Sequence, residues 1–457
     1  MESKLRLQFW GAAGTVTGSR HLLSMDGRSI LLDCGLFQGV KTLRLRNWAP
    51  FPVAASSIES VVLSHAHLDH SGYLPRLVRE GFKGPIYGSD ATLDLCRLLL
   101  LDSAHLQEAD AAYVNRHGLT KHRPALPLYT VADAHRAIAA FRPVPFDTMT
   151  ELAPGLRLRL SRAGHILGAS VVEIAHAGMR LAYSGDLGRY DDPVMPPPEP
   201  VREADYLIVE STYGNRRHSR ESALNALADI IERTVARGGS LLIPSFAVGR
   251  AQLLLYHLWR LKQAGRIARN LPIYLDSPMA SEAVEIYLRH DADQRLARQD
   301  AIAAYNVASC ISDVEQSKAL DRSPMPKIVL SASGMATGGR VIHHLKHYAG
   351  NARNTILFAG FQAMGTRGAA MLDGAQTVKI HGEYVPVRAE VSNLSMLSAH
   401  ADADEILRWL SGFSRPPRET FIVHGEPDAA DALRLRIKDE LGWVCRAVEQ
   451  GESLALN

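Results

Sequence analysis

Val61-Val62-Leu63-Ser64-His65-Ala66-His67-Leu68-Asp69-His70 decides how this chain is read. Its apolar start reads as a buried strand, and the strand ends in four metal-competent side chains. His65 and His67 stand two apart, so in an extended segment they project to the same side. Asp69 and His70 follow at once, and Ser71-Gly72 is where a helix can begin. Zinc and similar dications take imidazole nitrogen together with carboxylate oxygen. A plain polar loop with scattered histidines is the bland account. Four candidate ligands within six residues, straight after an apolar strand, argue against it.

Working outward, the totals set limits. A chain of 457 residues is too long for one core and predicts two domains. Hydrophobic residues make up 46% and charged residues 22%, an ordinary globular composition. Lys and Arg number 51 against 48 Asp and Glu, so nucleic-acid binding must rest on a local patch. Cys34, Cys96, Cys310 and Cys445 form no Cys-x-x-Cys pair, which points away from a disulfide framework and toward a reducing compartment. Met1 to Lys4 lead straight into an alternating segment without a signal-peptide core. No apolar run reaches the ~18 residues of a membrane span. The expectation is a cytoplasmic protein with no membrane partner.

Upstream of the histidines, Leu5, Leu7 and Phe9 alternate as a half-buried strand does. Residues 29–35 form another buried strand with Asp33 at its end, on its own readable as a turn residue. Downstream, 92–116 follows helical spacing, with Gly118 as a stop. His165 stands in a Gly-rich turn between strands at 156–160 and 170–175. Asp186 sits between Gly185 and Gly188 after a strand at 180–184, where ligand and turn residue weigh about evenly. The strand 205–209 delivers Glu210. Arg216, Arg217, His218 and Arg220 then make a basic cluster.

After that cluster the pattern changes. Strands at 240–243, 271–275, 328–330 and 355–358 alternate with helices at 250–261, 281–290 and 339–348. Such alternation predicts a parallel sheet with helices on both faces, inserted into the first domain. The domain limits read as 1–212, 213–388 and 389–457. The tail returns to the first style, with His400 in Ser398-Ala399-His400-Ala401-Asp402, a helix at 404–410, and a strand at 420–423 ending in His424. A last helix runs from 428 to about 441.

Taken in order, His65-Ala66-His67-Leu68-Asp69-His70, Gly164-His165, Asp186, Glu210, the His400 segment and Val423-His424-Gly425 resemble the β-CASP nucleases of the metallo-β-lactamase superfamily. The resemblance covers essentially the whole chain. It implies an α/β fold, a metallo-β-lactamase αββα sandwich carrying an inserted β-CASP domain. It also implies two Zn²⁺ per chain: His65, His67 and His165 would hold one, Asp69, His70 and His424 the other, and Asp186 with a hydroxide would bridge them. Asp33 would brace the metal-binding loop without touching metal. Glu210 and His400 would stand beside the metals as the family's acid and histidine motifs.

The charges suit a phosphodiester, because two zincs outweigh Asp69, Asp186 and hydroxide and leave a net positive centre. The hydroxide would attack phosphorus. His400 would protonate the departing 3′ oxygen, with Glu210 orienting it. Products would carry 5′-phosphate and 3′-hydroxyl ends. His at position 424 resembles the RNA-acting members, so single-stranded RNA held in a cleft between the domains is the expected substrate.

In the insert, Ser333-Gly334-Met335-Ala336-Thr337-Gly338-Gly339 is a Gly-rich loop between strand and helix. Amides at a helix start bind anions, and an ordinary tight turn is an equal account. The resemblance favours phosphate binding by Ser333, Gly334, Met335 and Gly338. Arg250 opens a similar turn and would meet a phosphate, a salt-bridged helix start being nearly as good an account. Three other functions compete: a small-molecule hydrolase of the same fold, a DNA nuclease, and a non-catalytic RNA-binding scaffold. The long insert, His424 and the full ligand set argue against them in turn. Whether cleavage is internal or from the 5′ end, and whether the chain forms a homodimer, the sequence leaves open.

Overall fold

The computed structural model describes residues 5–219, 221–360, 362–363 and 365–456; Met1 to Lys4 and Arg220 of the basic cluster lie outside them. The chain divides into two compact units. One comprises Met1–Asp191, Pro196–Arg217 and His400–Asn457, and the other Asp192–Met195 and His218–Ala399.

Among the described residues, the first unit holds two seven-stranded sheets. One runs Ser453–Leu456, Leu5–Phe9, His21–Met25, Arg28–Leu32, Ser60–Val62, Ile86–Gly88, Phe141–Pro143. The other runs Cys445–Ala447, Glu419–Val423, Tyr206–Glu210, Met179–Tyr183, Ser170–His176, Leu156–Arg162, Thr150–Ala153. Alternation along each strand puts one set of side chains inward. Leu156, Leu158 and Leu160 are buried while Arg157 between them is exposed. Leu7, Phe9, Leu23, Ile30 and Leu32 of the first sheet pack in one core with Leu158, Val172, Ile174, Tyr183, Ile208 and Phe421 of the second. Two inner faces that share one core make a sandwich.

The direction of the strands places everything that follows. Arg28–Leu32 pairs parallel with Ser60–Val62, and Tyr206–Glu210 lies parallel to both Met179–Tyr183 and Glu419–Val423. Their carboxyl ends therefore share one rim of the sandwich. Asp33, the Ser64–His70 turn, Asp186 and His424 all follow such an end, and Glu210 is the last residue of its strand.

The second unit is built on a six-stranded sheet in the order Ser309–Cys310, Ile273–Asp276, Ile328–Ser331, Leu241–Pro244, Thr355–Phe358, Glu390–Asn393, with every pairing parallel. Leu242, Val329, Ile356 and Phe358 are fully buried, as central parallel strands require. Asp276, at the end of its strand, is also fully buried. It accepts hydrogen bonds from Ser317 and from Arg340 (2.5 Å), and it faces His344 Nε2 at 2.7 Å. His344 Nδ1 lies 2.7 Å from Asp321.

Several elements differ in extent from the expectation. The helix read at 281–290 is Pro278–Arg289, because Ser277 caps it and Pro278 takes the first turn. The helix read from 339 begins at Val341, and the last helix is Pro427–Arg436 followed by a wider turn to Leu441. No helix among the described residues is long and apolar enough to cross a membrane.

Candidate metal centre

The Ser64–His70 turn is fixed by backbone bonds before any side chain acts. Cys34 N–H donates to His70 O at 2.7 Å, Leu36 N–H to Leu68 O at 2.8 Å, and Ser19 N–H to Asp69 O at 2.9 Å. Gly35 lets the two loops meet, since a Cβ there would stand 1.6 Å from Asp69 O. The helix Leu68–Ser71 starts earlier than expected, directly after His67. This turns Asp69 and His70 back toward His65 and His67.

His165 is set by a second loop. Ser89 Oγ and Thr92 Oγ1, at the start of the helix Asp90–Arg116, both donate to Gly168 O, at 2.7 and 2.8 Å. Asp186 lies in the turn after Tyr183, where Gly188 passes so close to Gly164 that a Cβ would meet its oxygen at 2.0 Å. Gly188 also pairs with His400, which brings that residue in from the tail. His424 follows the strand Glu419–Val423 in a left-handed conformation with φ 52°, and its N–H donates to Ala12 O. Non-glycine residues in that region are uncommon and cluster at functional sites. Asp33, with φ 57°, is another.

The result is one cluster in which donor atoms face donor atoms. His65 Nε2 lies 3.2 Å from His67 Nδ1, and His165 Nε2 lies 3.3 Å from the same atom. His70 Nε2 and His424 Nε2 are 3.0 Å apart, and His424 Nε2 is 3.5 Å from Asp69 Oδ2. Asp186 stands between the two sets. Its Oδ2 is 3.5 Å from His65 Nε2 and 3.6 Å from His165 Nε2. Its Oδ1 is 3.3 Å from His70 Nε2 and 3.6 Å from His424 Nδ1.

Among the described residues, three groups have ligand atoms close enough to share an ion: His65, His67, His165 and Asp186; Asp69, His70 and His424; and Asp186, Glu210 and His400. Burial pushes His65 and His165 well below the ordinary histidine range and His67 down to about 4. Neutral imidazoles crowded around a carboxylate present lone pairs to one another, which is unfavourable until a cation sits among them. Burial would raise the Asp186 carboxyl, but His424, His70 and His65 hold it well below the carboxylate range. The donor set thus fits divalent metal.

Asp33 stands behind the cluster. Fully buried, it accepts from Ser64 N–H, Ser64 Oγ and Tyr183 Oη, each at 2.7 Å, and faces His70 Nδ1 at 2.7 Å. Burial disfavours a charged His70, yet Asp186 and Asp33 raise its pKa well above the usual value. A carboxylate on the far nitrogen orients the ring and leaves Nε2 facing the cluster. His165 differs, since its outer Nδ1 is buried with no hydrogen-bond partner among the described residues.

Glu210 is buried completely and accepts Leu187 N–H at 2.6 Å and Thr212 N–H at 3.2 Å. His400 Nδ1 lies 3.3 Å from both its oxygens and 3.9 Å from Asp186 Oδ2. Burial works against a charged His400, but Glu210 outweighs it and raises the pKa. Asp69 at 22% and His400 at 17% exposure mark the open side of the cluster.

The other expected binding residues lie in the second unit. Ser333 is half-buried, and its Oγ accepts Thr337 N–H at 3.2 Å and Gly338 N–H at 3.4 Å, so those two amides already serve the loop itself. Arg250 is only 9% exposed and packs against Gly360. Sequence reading missed Ser64 and Thr212, whose hydroxyls touch His65 and His424, and Tyr183, whose hydroxyl touches Asp33; hydroxyl residues at strand ends are too common to signal it.

Three protein families match the sequence: the Beta-lactamase superfamily domain over residues 28–241, the Beta-Casp domain over 251–371, and the Zn-dependent metallo-hydrolase RNA specificity domain over 384–448. A ribonuclease of Thermus thermophilus is 39% identical over 443 residues, 94% of this chain and 95% of its own length. Transcription termination factor FttA of Methanocaldococcus jannaschii is 29% identical, over 95% of this chain and 70% of its own length. A crystal structure of an Enterococcus faecalis protein of unknown function covers 99% of this chain and 100% of that chain with a TM-score of 0.55 at 11% identity, a likeness of fold alone.

Proposed function

The chain belongs to the β-CASP family of metallo-β-lactamase-fold hydrolases, and from that membership we propose that it is a zinc-dependent ribonuclease. One observation carries the reading. Asp186 turns one oxygen toward His65 Nε2 and His165 Nε2 and the other toward His70 Nε2, so that one carboxylate serves both sets of donors. In this reading His65, His67 and His165 would hold one zinc, Asp69, His70 and His424 would hold the other, and Asp186 would serve both. Two zincs so held supply an acidified water as nucleophile and positive charge opposite the phosphoryl oxygens.

The protein's own groups do the rest. Asp33 keeps the His70 ring in one orientation. Glu210, held by two amides, accepts a hydrogen bond from His400 Nδ1–H, so that the proton on Nε2 is the one His400 can donate. His400 gives its proton to the departing 3′ oxygen, which leaves 3′-hydroxyl and 5′-phosphate ends. Both His400 and Asp69 lie on the open side, where a phosphodiester can approach. The proposal extends to a single-stranded RNA substrate gripped through phosphate by Arg250 and the 333–338 loop. It also takes in a cytoplasmic setting and the domain limits 1–212, 213–388 and 389–457.

Asp186→Ala tests the centre. Zinc per chain should fall and cleavage of a labelled RNA oligonucleotide should cease. Full zinc content with normal turnover would remove Asp186 from the site. A DNA oligonucleotide of the same sequence, cut equally well by the unmodified protein, would overturn the RNA assignment.

A further inference from the structure

An imidazole can hold a metal through one nitrogen only if its proton sits on the other, and that choice is made by whatever the other nitrogen touches. For His70 the partner is the Asp33 carboxylate. For His65 and His424 it is a hydroxyl. Ser64 Oγ lies 3.1 Å from His65 Nδ1, and Thr212 Oγ1 lies 3.0 Å from His424 Nδ1. A hydroxyl can donate or accept, so contact alone decides nothing.

What decides is where each hydroxyl proton is already committed. Ser64 Oγ is 2.7 Å from Asp33 Oδ2, an acceptor that can only receive. Thr212 Oγ1 donates to the backbone oxygen of His424 at 3.1 Å, which likewise can only receive. With its single proton spent there, each oxygen has only lone pairs left for the ring. The contacts at 3.1 and 3.0 Å are then hydrogen bonds only if the imidazole Nδ1 carries the proton. That leaves His65 Nε2 and His424 Nε2 bare, and these face His67 Nδ1 and His70 Nε2; the His424 Nδ1 also has Asp186 Oδ1 at 3.6 Å, an acceptor that likewise suits a proton there.

Resting on the ligand assignment above, we propose that Ser64 and Thr212 are positioning residues, whose hydroxyls hold His65 and His424 in the Nδ1–H form, one for each zinc. Thr212 serves the centre twice, because its own N–H donates to Glu210. Its neighbour holds the frame: Ser211 Oγ donates to Val423 O at 2.8 Å, and Ser211 N–H donates to His424 O at 3.3 Å. Removing the Thr212 hydroxyl therefore does not strip His424 O of every donor.

The test uses the full chain with histidine side chains labelled with ¹⁵N. In the unmodified protein, zinc-loaded and after chelation, the His424 ring nitrogens should report the Nδ1–H form; an Nε2–H ring after chelation overturns the proposal without any variant. Thr212→Val, nearly the same shape, should lose that preference after chelation and bind one zinc about 10- to 100-fold more weakly, the usual cost of losing such a partner. Thr212→Ser should restore both. Unchanged tautomer and affinity in Thr212→Val would make Thr212 merely structural. His424→Ala is measured alongside. If it keeps both zincs, the ligand assignment fails; if it loses one while Thr212→Val does not, only the role of Thr212 fails.

Discussion

Replacing His400 with alanine separates proton donation from metal holding. The structure makes the substitution clean, because Glu210 is anchored by Leu187 N–H at 2.6 Å and Thr212 N–H at 3.2 Å and does not depend on the ring. His400→Ala should keep two zincs per chain. A lost general acid costs about 10²–10⁴-fold in rate, or about 3–5 kcal/mol of barrier. Glu210→Gln should show part of that loss, since an amide there either turns its NH₂ toward Leu187 N–H or toward His400. The double variant should fall short of the two losses combined, because the residues act as a pair. The assay is single-turnover cleavage of a labelled RNA, with zinc measured on the same samples. A substrate whose 3′ oxygen is replaced by sulfur, a better leaving group, should rescue His400→Ala in part. Asp186, Glu210 and His400 stand close enough to hold an ion themselves. If His400→Ala loses a zinc, the residue is a ligand and the reasoning is wrong; if both zincs and the full rate survive, it is neither ligand nor acid.

Three further outcomes follow from geometry already described. Asp33→Asn keeps the size but leaves one oxygen for four donors, so stability should fall by roughly 2–4 kcal/mol, and zinc binding at His70 should weaken on titration with a chelator. In the second unit burial would lower the His344 pKa, but Asp276 and Asp321 raise it from 6.5 to about 9. That stabilisation is present below pH 6.5, is lost as pH rises through 9, and amounts to about 3 kcal/mol. Urea unfolding of that unit at pH 7 and at pH 10 should show the loss, and His344→Gln should remove it. Arg250→Ala should weaken RNA binding and reduce the slope of log affinity against log salt by about one; an unchanged slope would make this buried arginine a packing residue.

The site was legible where chemistry was dense. His65 to His70 crowd four donors into six residues, and no alternation or cap explains them otherwise. Asp186 and Glu210, each a lone acid after a strand, became readable only through the order of the motifs. The parallel sheet of the second unit was legible from its alternation, whereas the ends of its helices were not. The helix Val131–Ala139 carries a plain sequence sign, Thr130 and Asp133 capping each other, that went unread. Ser64 and Thr212 had no sign at all. Their importance lies in the atom each one faces, and neighbours in sequence do not disclose it.

The first unit is closed by strands from both sides of the insert. Glu419–Val423 lies against Tyr206–Glu210, and Ser453–Leu456 lies against Leu5–Phe9. His400 and His424 thus reach the rim only after the whole second unit has been made. A chain still growing on the ribosome carries His65 to Glu210 long before it carries the remaining donors. Any product of interrupted synthesis shorter than 424 residues lacks part of the donor set.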